Sequence, residues 1–150
     1  MMTQNPNDYI LIIEDSKADF LNIEIALKSA EFSAPIVHFD NGDEALDFLL
    51  REGAYKSRDD VNPIMTFLDI NLPGEDGVEI LTRARATRTL RRMPIIVLTT
   101  SYDEVLINKC YETGANSYIA KPAEIDSFIA AMKLIREYWF KLSNLPRCKG

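Results

Sequence analysis

The sequence contains few residues of the kinds that bind soft metals or form cross-links. It has one histidine, His38, and two cysteines, Cys110 and Cys148, with no metal-ligand spacing around either cysteine. Zinc and copper sites are built mainly from histidine and cysteine, and disulfide scaffolds need larger cysteine sets. We therefore expect reduced thiols in a cytoplasmic protein, and we interpret His38 as a packing residue at the sheet edge rather than a ligand.

An excess of positive charge and long apolar segments are also missing. Lysine and arginine total 17 against 23 acidic residues, which gives a net charge of −6, and no basic cluster is denser than Arg83–Arg92. The longest apolar runs are about five residues, and the start, MMTQNPNDY, has neither a basic end nor an apolar segment. Nucleic-acid binding needs a basic face and a membrane helix needs about 20 apolar residues. We expect no nucleic acid, no membrane and no signal peptide.

Glycine-rich phosphate-binding loops are absent as well, since neither GxxxxGK[ST] nor GxGxxG occurs in the sequence. The chain has 150 residues, of which 47% are hydrophobic, and this is enough to build one core. We predict a single domain over residues 1–150, with a core from about 8 to 142, a short disordered N-terminus and a C-terminal tail.

Short apolar runs alternate along the chain with segments of helical period. The runs are Tyr9–Ile13, Pro35–Phe39, Ile64–Leu68, Ile95–Leu98 and Ser117–Ala120. The first four helical segments are marked by Phe20, Ile23, Leu27 and Ala30; by Ala45, Phe48 and Leu49; by Val78, Leu81 and Arg85; and by Val105, Cys110 and Tyr111. Five strands alternating with five helices predict an α/β domain, with a parallel sheet covered on both faces.

The fifth helical segment carries two apolar stripes. Its core stripe is predicted to consist of Ile125, Phe128, Met132, Ile135, Trp139 and Leu142. This assignment leaves Ala131, Leu134 and Tyr138 on a second stripe, and Phe140 on neither. A helix that is apolar on two faces is usually covered on both. Either the C-terminal tail folds back over the second stripe, or the stripe contacts a partner or a second copy of the chain.

Polar residues follow four of the predicted strands. They are Glu14-Asp15, Asp69, Thr99-Thr100 and Lys121-Pro122. Each has a structural explanation when it is taken alone; Asp15, for example, could cap the first helix. In an open parallel sheet, however, the carboxyl ends of the strands share one edge, and this edge is where ligands bind. Three clustered carboxylates repel one another unless a cation is present.

The kinds of ligand at this edge indicate the chemistry. Carboxylates without histidine or cysteine favour Mg²⁺, whose open coordination positions suit phosphoryl oxygens. A carboxylate such as Asp69 can itself accept a phosphoryl group. Lys121 could neutralise charge on the moving group, and Thr99 could donate a hydrogen bond to it.

These residues resemble the receiver domains of two-component response regulators along nearly the whole chain. The resemblance is carried by the acidic pair Glu14-Asp15, by FLDINLPGEDG with Asp69, by PIIVLTTS with Thr99, and by AKP with Lys121. The intervals of thirty residues from Asp69 to Thr99 and twenty-two from Thr99 to Lys121 also fit. The resemblance implies a flavodoxin-like, doubly wound fold: a five-stranded parallel sheet and five helices in three layers.

The resemblance also implies residue roles. Asp15 and Asp69 would bind Mg²⁺ directly, Glu14 through water and Asn71 through its backbone carbonyl. Asp69 would accept a phosphoryl group from a histidine kinase. The protein would then be no enzyme beyond its own phosphorylation and dephosphorylation.

Further implications concern the switch and the lysine. Thr99 would move toward the phosphoryl group, and Tyr118 would turn inward behind it. A cis peptide between Lys121 and Pro122 would aim the lysine at the site. Glu14 replaces the aspartate common at its position, and Thr100 is bulkier than the usual residue there.

Two segments resemble the single-domain regulators of cyanobacterial and other bacterial phytochromes. They are the extended loop REGAYKSRDDVNP and the aromatic-rich end EYWFKLSNLPRCKG. No output domain is expected after the fifth helix. We predict output through a homodimer or partner surface on the fourth helix, fifth strand and fifth helix, including Tyr111, Ala131, Leu134, Tyr138 and Phe140.

Two other functions remain open. A phosphatase of the haloacid-dehalogenase kind also uses an aspartate nucleophile after a strand, but it normally has a second aspartate two residues later, where this chain has Asn71. A pseudo-receiver would bind partners without phosphorylation, although such proteins usually lack the acceptor or the lysine.

Overall fold

The computed structural model describes residues 5–74 and 76–147, and its five strands and five helices alternate as the sequence predicts. The strands are β1 (Ile10–Ile13), β2 (Ile36–Phe39), β3 (Met65–Leu68), β4 (Ile95–Thr99) and β5 (Ser117–Ala120). The helices are α1 (Lys17–Ser29), α2 (Gly42–Leu50), α3 (Gly77–Ala86), α4 (Glu104–Thr113) and α5 (Ile125–Arg136). Every strand boundary lies within one residue of its predicted position. Residues 1–4 of the predicted disordered N-terminus and the thiol of Cys148 lie outside the described residues.

The five strands form one parallel sheet in the order β2-β1-β3-β4-β5. After β1 the chain adds β2 on one side and then returns to add β3 on the other. The strand order therefore reverses between β1 and β3, and a crevice opens there at the carboxyl ends of the strands. This confirms the doubly wound α/β fold.

Both faces of the sheet are buried, because residues alternate along each strand. Leu11, Ile13 and Leu68 belong to the core beneath α2, α3 and α4. Ile10 and Ile12 belong to the opposite core, which α1 and α5 cover. β1 is fully buried, as expected for a central strand of a three-layer domain. Among the described residues, no helix is long and apolar enough to cross a membrane.

The end of α5 corrects the predicted core stripe. After Arg136 the helix continues as a π-helix, Glu137–Leu142, whose wider i→i+5 hydrogen bonds rotate the later side chains away from their α-helical positions. Phe140 is consequently 7% exposed and packs edge-on against Phe32, whereas Leu142 is 75% exposed. Ile125, at the other end of the predicted stripe, is also exposed at 39%.

The described part of the C-terminal tail packs against the domain. Leu145 is buried in the core between α1 and α5. Arg147 binds both carboxylate oxygens of Asp8 at 2.5 Å, which ties the tail to the segment before β1. The tail leaves Leu134 and Tyr138 72% and 53% exposed, so it does not cover the second stripe.

The extended loop between α2 and β3 is held against the domain by aromatic and arginine contacts. The guanidinium of Arg58 lies 4.0 Å from the centre of the Phe48 ring and donates to the Tyr9 hydroxyl at 3.1 Å. Tyr55, in a short 3-10 turn, packs against Phe48 and Phe39. These contacts fix a segment whose sequence lacks a regular hydrophobic period.

Candidate functional site

Three carboxylates meet at the carboxyl ends of β1 and β3. Ile13 and Leu68 are paired across these strands, so Glu14, Asp15 and Asp69 leave the sheet side by side. One oxygen from each lies within 4.8 Å of the others. Glu14 is 1% exposed and Asp69 is 8% exposed, while Asp15 faces solvent. The convergence predicted from the strand ends is thus present in the structure.

Lys121 supplies the positive charge in this cluster. Its backbone N–H donates to the Thr99 carbonyl at 2.7 Å, which places the residue at the end of β5. Its ammonium group donates to Glu14 Oε1, to Asp19 Oδ2 at 2.9 Å and to Asp69 Oδ2 at 3.3 Å. An ammonium group has three N–H donors, and each has a carboxylate partner here.

Burial and charge shift the pKa values of the two innermost groups. Burial raises the pKa of Glu14 to about 7, and the neighbouring Asp69 adds to the rise while Lys121 opposes it. Burial alone would lower the pKa of Lys121, but its hydrogen bonds to Glu14 and Asp19 outweigh this and raise it. Lys121 therefore stays charged throughout the physiological pH range.

Thr99 has a buried hydroxyl without a partner. The residue is 1% exposed, and among the described residues its Oγ1 is the one buried side-chain oxygen or nitrogen that lacks a hydrogen bond. An unpaired buried hydroxyl costs about 1–3 kcal/mol, so such groups are rare without a reason. Thr99 ends β4, next to the strand that carries Asp69.

The remaining implied residues lie around this centre. The backbone N–H of Asn71 donates to Asp69 Oδ1 at 3.1 Å. Tyr118 is half-buried, and its hydroxyl donates to the Ser101 carbonyl at 2.9 Å, so the ring already points toward the β4–α4 loop. Its backbone N–H donates to the hydroxyl oxygen of Tyr111 at 3.0 Å.

The implied cis peptide at Lys121–Pro122 is wrong, because the described residues contain no cis peptide bond. The trans form is the more stable one for a residue before proline. The pairing of β4 with β5 already ends at Thr99 and Ala120, which brings Lys121 to the carboxylates without a change of isomer.

His38 packs beside the site rather than in it. Its ring stacks on Phe20 at 3.7 Å, and its Nε2 lies 2.8 Å from the carbonyl oxygen of Glu14. This contact supports the backbone at the end of β1, in agreement with the packing role predicted for this residue.

The donor set fits a small divalent cation. Glu14, Asp15 and Asp69 offer oxygen atoms alone, and hard oxygen ligands suit Mg²⁺ and Mn²⁺. Cys110 is buried in the core under α4 and takes no part.

Asp19 contacts Lys121 but was missed in the sequence. It lies in the first turn of α1, and its N–H donates to the Ser16 hydroxyl at 3.2 Å. The available signal was an acidic residue in the first turn of the helix that follows β1, because that turn starts at the edge of the sheet where the other carboxylates lie.

The predicted interface residues divide into two groups. Tyr111, Leu134 and Tyr138 are 48%, 72% and 53% exposed, and Ala131 is half-buried. Leu134 and Tyr138 line a groove of about 470 Å³ together with Leu142. Phe140 does not belong to this surface, because it is buried in the core against Phe32.

Comparison with known proteins gives one consistent assignment. The response regulator receiver domain family matches residues 10–133. Response regulator Rcp1 of Synechocystis is 33% identical over 142 residues, which cover 95% of this chain and 95% of Rcp1.

Solved structures agree. The phosphorylated cyanobacterial phytochrome response regulator RcpA superposes with a TM-score of 0.84 at 35% identity, over 93% of this chain and 98% of that one. The Mn²⁺-bound form of Rcp1 gives 0.82 at 32% identity, over 93% and 99% of the two chains. The fold, the edge carboxylates, the lysine and these similarities lead to one conclusion: the chain belongs to the response regulator receiver domain family.

Proposed function

We propose that this chain is a single-domain response regulator that accepts a phosphoryl group on Asp69. The proposal rests on the surroundings of the buried Asp69 carboxylate. Two hydrogen-bond donors, on Lys121 and Thr99, are placed near it and could bind phosphoryl oxygens. The Lys121 ammonium lies 3.3 Å from Asp69 Oδ2, and the neighbouring strand end holds the unpartnered Thr99 hydroxyl. Phosphoryl transfer depends on this kind of positioning and charge neutralisation.

The transfer proceeds by in-line displacement. A carboxylate oxygen of Asp69 forms a bond to phosphorus while the P–N bond of a phosphohistidine donor breaks. The imidazole nitrogen leaves with the bonding electron pair, and an acyl phosphate remains on Asp69. Lys121 exchanges its hydrogen bond to Asp69 for one to a phosphoryl oxygen, and Thr99 donates to another.

Asp15 and Asp69 would hold Mg²⁺ directly, with Glu14 acting through water and Asn71 through its carbonyl. The bound ion supplies charge neutralisation for the phosphoryl oxygens. The similarity of this chain to the Mn²⁺-bound form of Rcp1 supports the binding of a divalent ion.

Phosphorylation replaces the single negative charge of the Asp69 carboxylate with a phosphoryl group of about −2, next to the end of β4. Thr99 turning toward that charge vacates space behind it, and Tyr118 fills the space. The half-buried ring of Tyr118 links the site to the surface formed by α4, β5 and α5. A phosphoryl group shifts this equilibrium to the extent that one arrangement binds it better.

The direct test is incubation with acetyl phosphate and Mg²⁺, followed by intact-mass spectrometry. The native protein should gain one phosphate, and Asp69→Asn should gain none. Asp76→Asn removes the same charge from the same loop and should label like the native protein. Rapid turnover of small phosphate esters would instead indicate a phosphatase. No adduct with any phosphodonor would leave a pseudo-receiver.

The signal would leave through the exposed stripe of α5. We propose that Tyr111, Ala131, Leu134 and Tyr138 form a homodimer surface. Sedimentation, run with and without the phosphoryl mimic beryllofluoride, should show a dimer. Leu134→Asp should weaken this dimer. Leu21→Asp, on α1, places the same charge at an exposed leucine elsewhere and should leave the dimer intact. If Leu134→Asp and Leu21→Asp affected dimerisation equally, the proposal that this surface forms the dimer would be wrong.

The proposed phosphodonor is a sensor histidine kinase of the phytochrome type, and the proposed location is the cytoplasm, where such a kinase has ATP. The support is the similarity to Rcp1 and to the phytochrome response regulator RcpA. Phosphotransfer from a purified phytochrome kinase, compared with a kinase of another sensor class, tests this pairing. Faster labelling by the unrelated kinase would contradict it.

A further inference from the structure

Lys121 has one partner that is not part of the acidic metal-type cluster. Glu14 and Asp69 belong to that cluster, and the proposed function gives the oxygens of each a second partner besides Lys121. Asp69 must take the phosphoryl group, and Glu14 faces the cation position. Asp19 has neither task, and it contacts the ammonium at 2.9 Å, which is shorter than the 3.3 Å contact to Asp69.

The backbone of Asp19 is fixed. The residue lies in the first turn of α1, and its N–H is bound by the hydroxyl of the capping residue Ser16. Its side chain is 35% exposed, whereas that of Lys121 is 6% exposed. The lysine stem is flexible, so a hydrogen bond to a residue with a fixed backbone restricts where the buried ammonium can lie.

From this geometry we infer that Asp19 is a positioning residue, which anchors the Lys121 ammonium while the other two acceptors change their roles. The inference rests on the proposed function. When Asp69 is phosphorylated, Lys121 must turn one donor from a carboxylate to a phosphoryl oxygen. Asp19 keeps the nitrogen in place during that exchange, so the donor is already aimed when the phosphodonor arrives.

The sign of the expected effect separates positioning from general electrostatics. Removing a negative charge near the site should speed labelling by the anionic acetyl phosphate, because repulsion falls. Loss of the anchor should slow labelling, because Lys121 is no longer held in place. We expect Asp19→Asn to label more slowly than the native protein, on the order of tenfold.

The control is Glu24→Gln, which removes the same charge from the same helix, five residues further on. It should label at the native rate or faster. Asp19→Glu, which keeps the carboxylate, should recover most of the rate lost in Asp19→Asn. In a Lys121→Met background, Asp19→Asn should cause no further loss, because the group that it positions is gone.

A second measurement needs neither metal nor phosphodonor. Urea unfolding in EDTA of the native protein, Asp19→Asn, Lys121→Met and the double variant measures the coupling between the two side chains. We expect a smaller effect of Asp19→Asn on the unfolding midpoint when Lys121 is already replaced. Additive effects in this cycle contradict direct anchoring.

Other outcomes are also decisive. If the native protein takes no phosphate, the proposed function fails and the unfolding cycle alone decides whether Asp19 anchors the lysine. If the native protein labels and Asp19→Asn labels equally fast, the inference about Asp19 is wrong while the proposed function stands.

Discussion

At the scale of single residues, Thr99 combines full burial with a hydroxyl that has no partner. Valine has the same shape as threonine and no polar atom that needs a hydrogen bond. Under the proposed function, the Thr99 hydroxyl gains its partner when a phosphoryl oxygen lies nearby.

Thr99→Val should stabilise the unphosphorylated protein by about 1 kcal/mol, because it removes a buried hydroxyl without a hydrogen bond. The same change should remove the response to beryllofluoride at Tyr118. Urea unfolding gives the first quantity, and the fluorescence or NMR signal of Tyr118 gives the second. A destabilised variant would show that the hydroxyl already has a partner in solution.

Tyr9 gives a prediction for alkaline pH. Burial raises its pKa from 10.0 to about 12, although Arg58 opposes the shift. The folded state therefore favours the neutral phenol, whose hydroxyl donates to the Val61 carbonyl at 2.8 Å. The stability that depends on this shift is fully present below pH 10 and is lost as the pH rises from 10 to about 12.

Urea unfolding between pH 8 and pH 12 checks this dependence. Between pH 10 and pH 12, Tyr9→Phe should lose less stability than the native protein, since it has no phenol to ionise at this position. Parallel curves for the two proteins would mean that Tyr9 ionises equally in the folded and unfolded states.

At the scale of elements, the β3–α3 connection sets the position of Asp69. Gly77 begins α3 directly against the end of β3. A Cβ at this residue would lie 2.6 Å from the Ile70 Cα and 2.8 Å from the Asp69 carbonyl oxygen. Neither backbone atom can move without shifting Asp69 itself.

Gly77→Ala should therefore destabilise the fold by about 1–3 kcal/mol and slow labelling of Asp69. Gly74→Ala, in the same loop, tests a different cause, because Gly74 has a φ of +75° and its nearest contact is the side chain of Asp43. It should cost stability with a smaller effect on labelling. Unchanged labelling in Gly77→Ala would mean that the acceptor tolerates the displacement.

Helix α5 and the π-helix that follows it offer a pair of substitutions, one exposed and one buried. Phe140→Ala should destabilise the domain by about 3–5 kcal/mol, because the ring is buried against Phe32. Leu134→Ala should change the stability of the monomer by less than about 0.5 kcal/mol, because Leu134 is 72% exposed there. Thermal unfolding of both variants checks the assignment, and a larger effect at Leu134 would contradict it.

At the scale of the whole molecule, the alternation of apolar runs was enough to predict the fold. Each strand was placed within one residue because short buried strands between polar turns leave little choice of boundary. The strand ends then predicted which carboxylates meet, since parallel strands share their carboxyl edge.

Contacts that depend on side-chain direction were not predictable in this way. The π-helix after Arg136 changes which of the following residues are buried. A pattern based on 3.6 residues per turn cannot predict this change. The contact of Asp19 with Lys121 joins α1 to the end of β5, over a sequence separation that local patterns do not cover. The loop around Arg58 is held by the contact of its guanidinium with the ring of Phe48, which lies ten residues earlier in the sequence.

Chemical trapping can identify the residue that is phosphorylated, which we propose to be Asp69. After acetyl phosphate and Mg²⁺, borohydride reduces an aspartyl phosphate to homoserine, and peptide mass spectrometry then identifies the modified position. Homoserine is expected at position 69, and aspartate at positions 15 and 19. Homoserine at another aspartate, or none in a protein that carries the phosphate adduct, would contradict it.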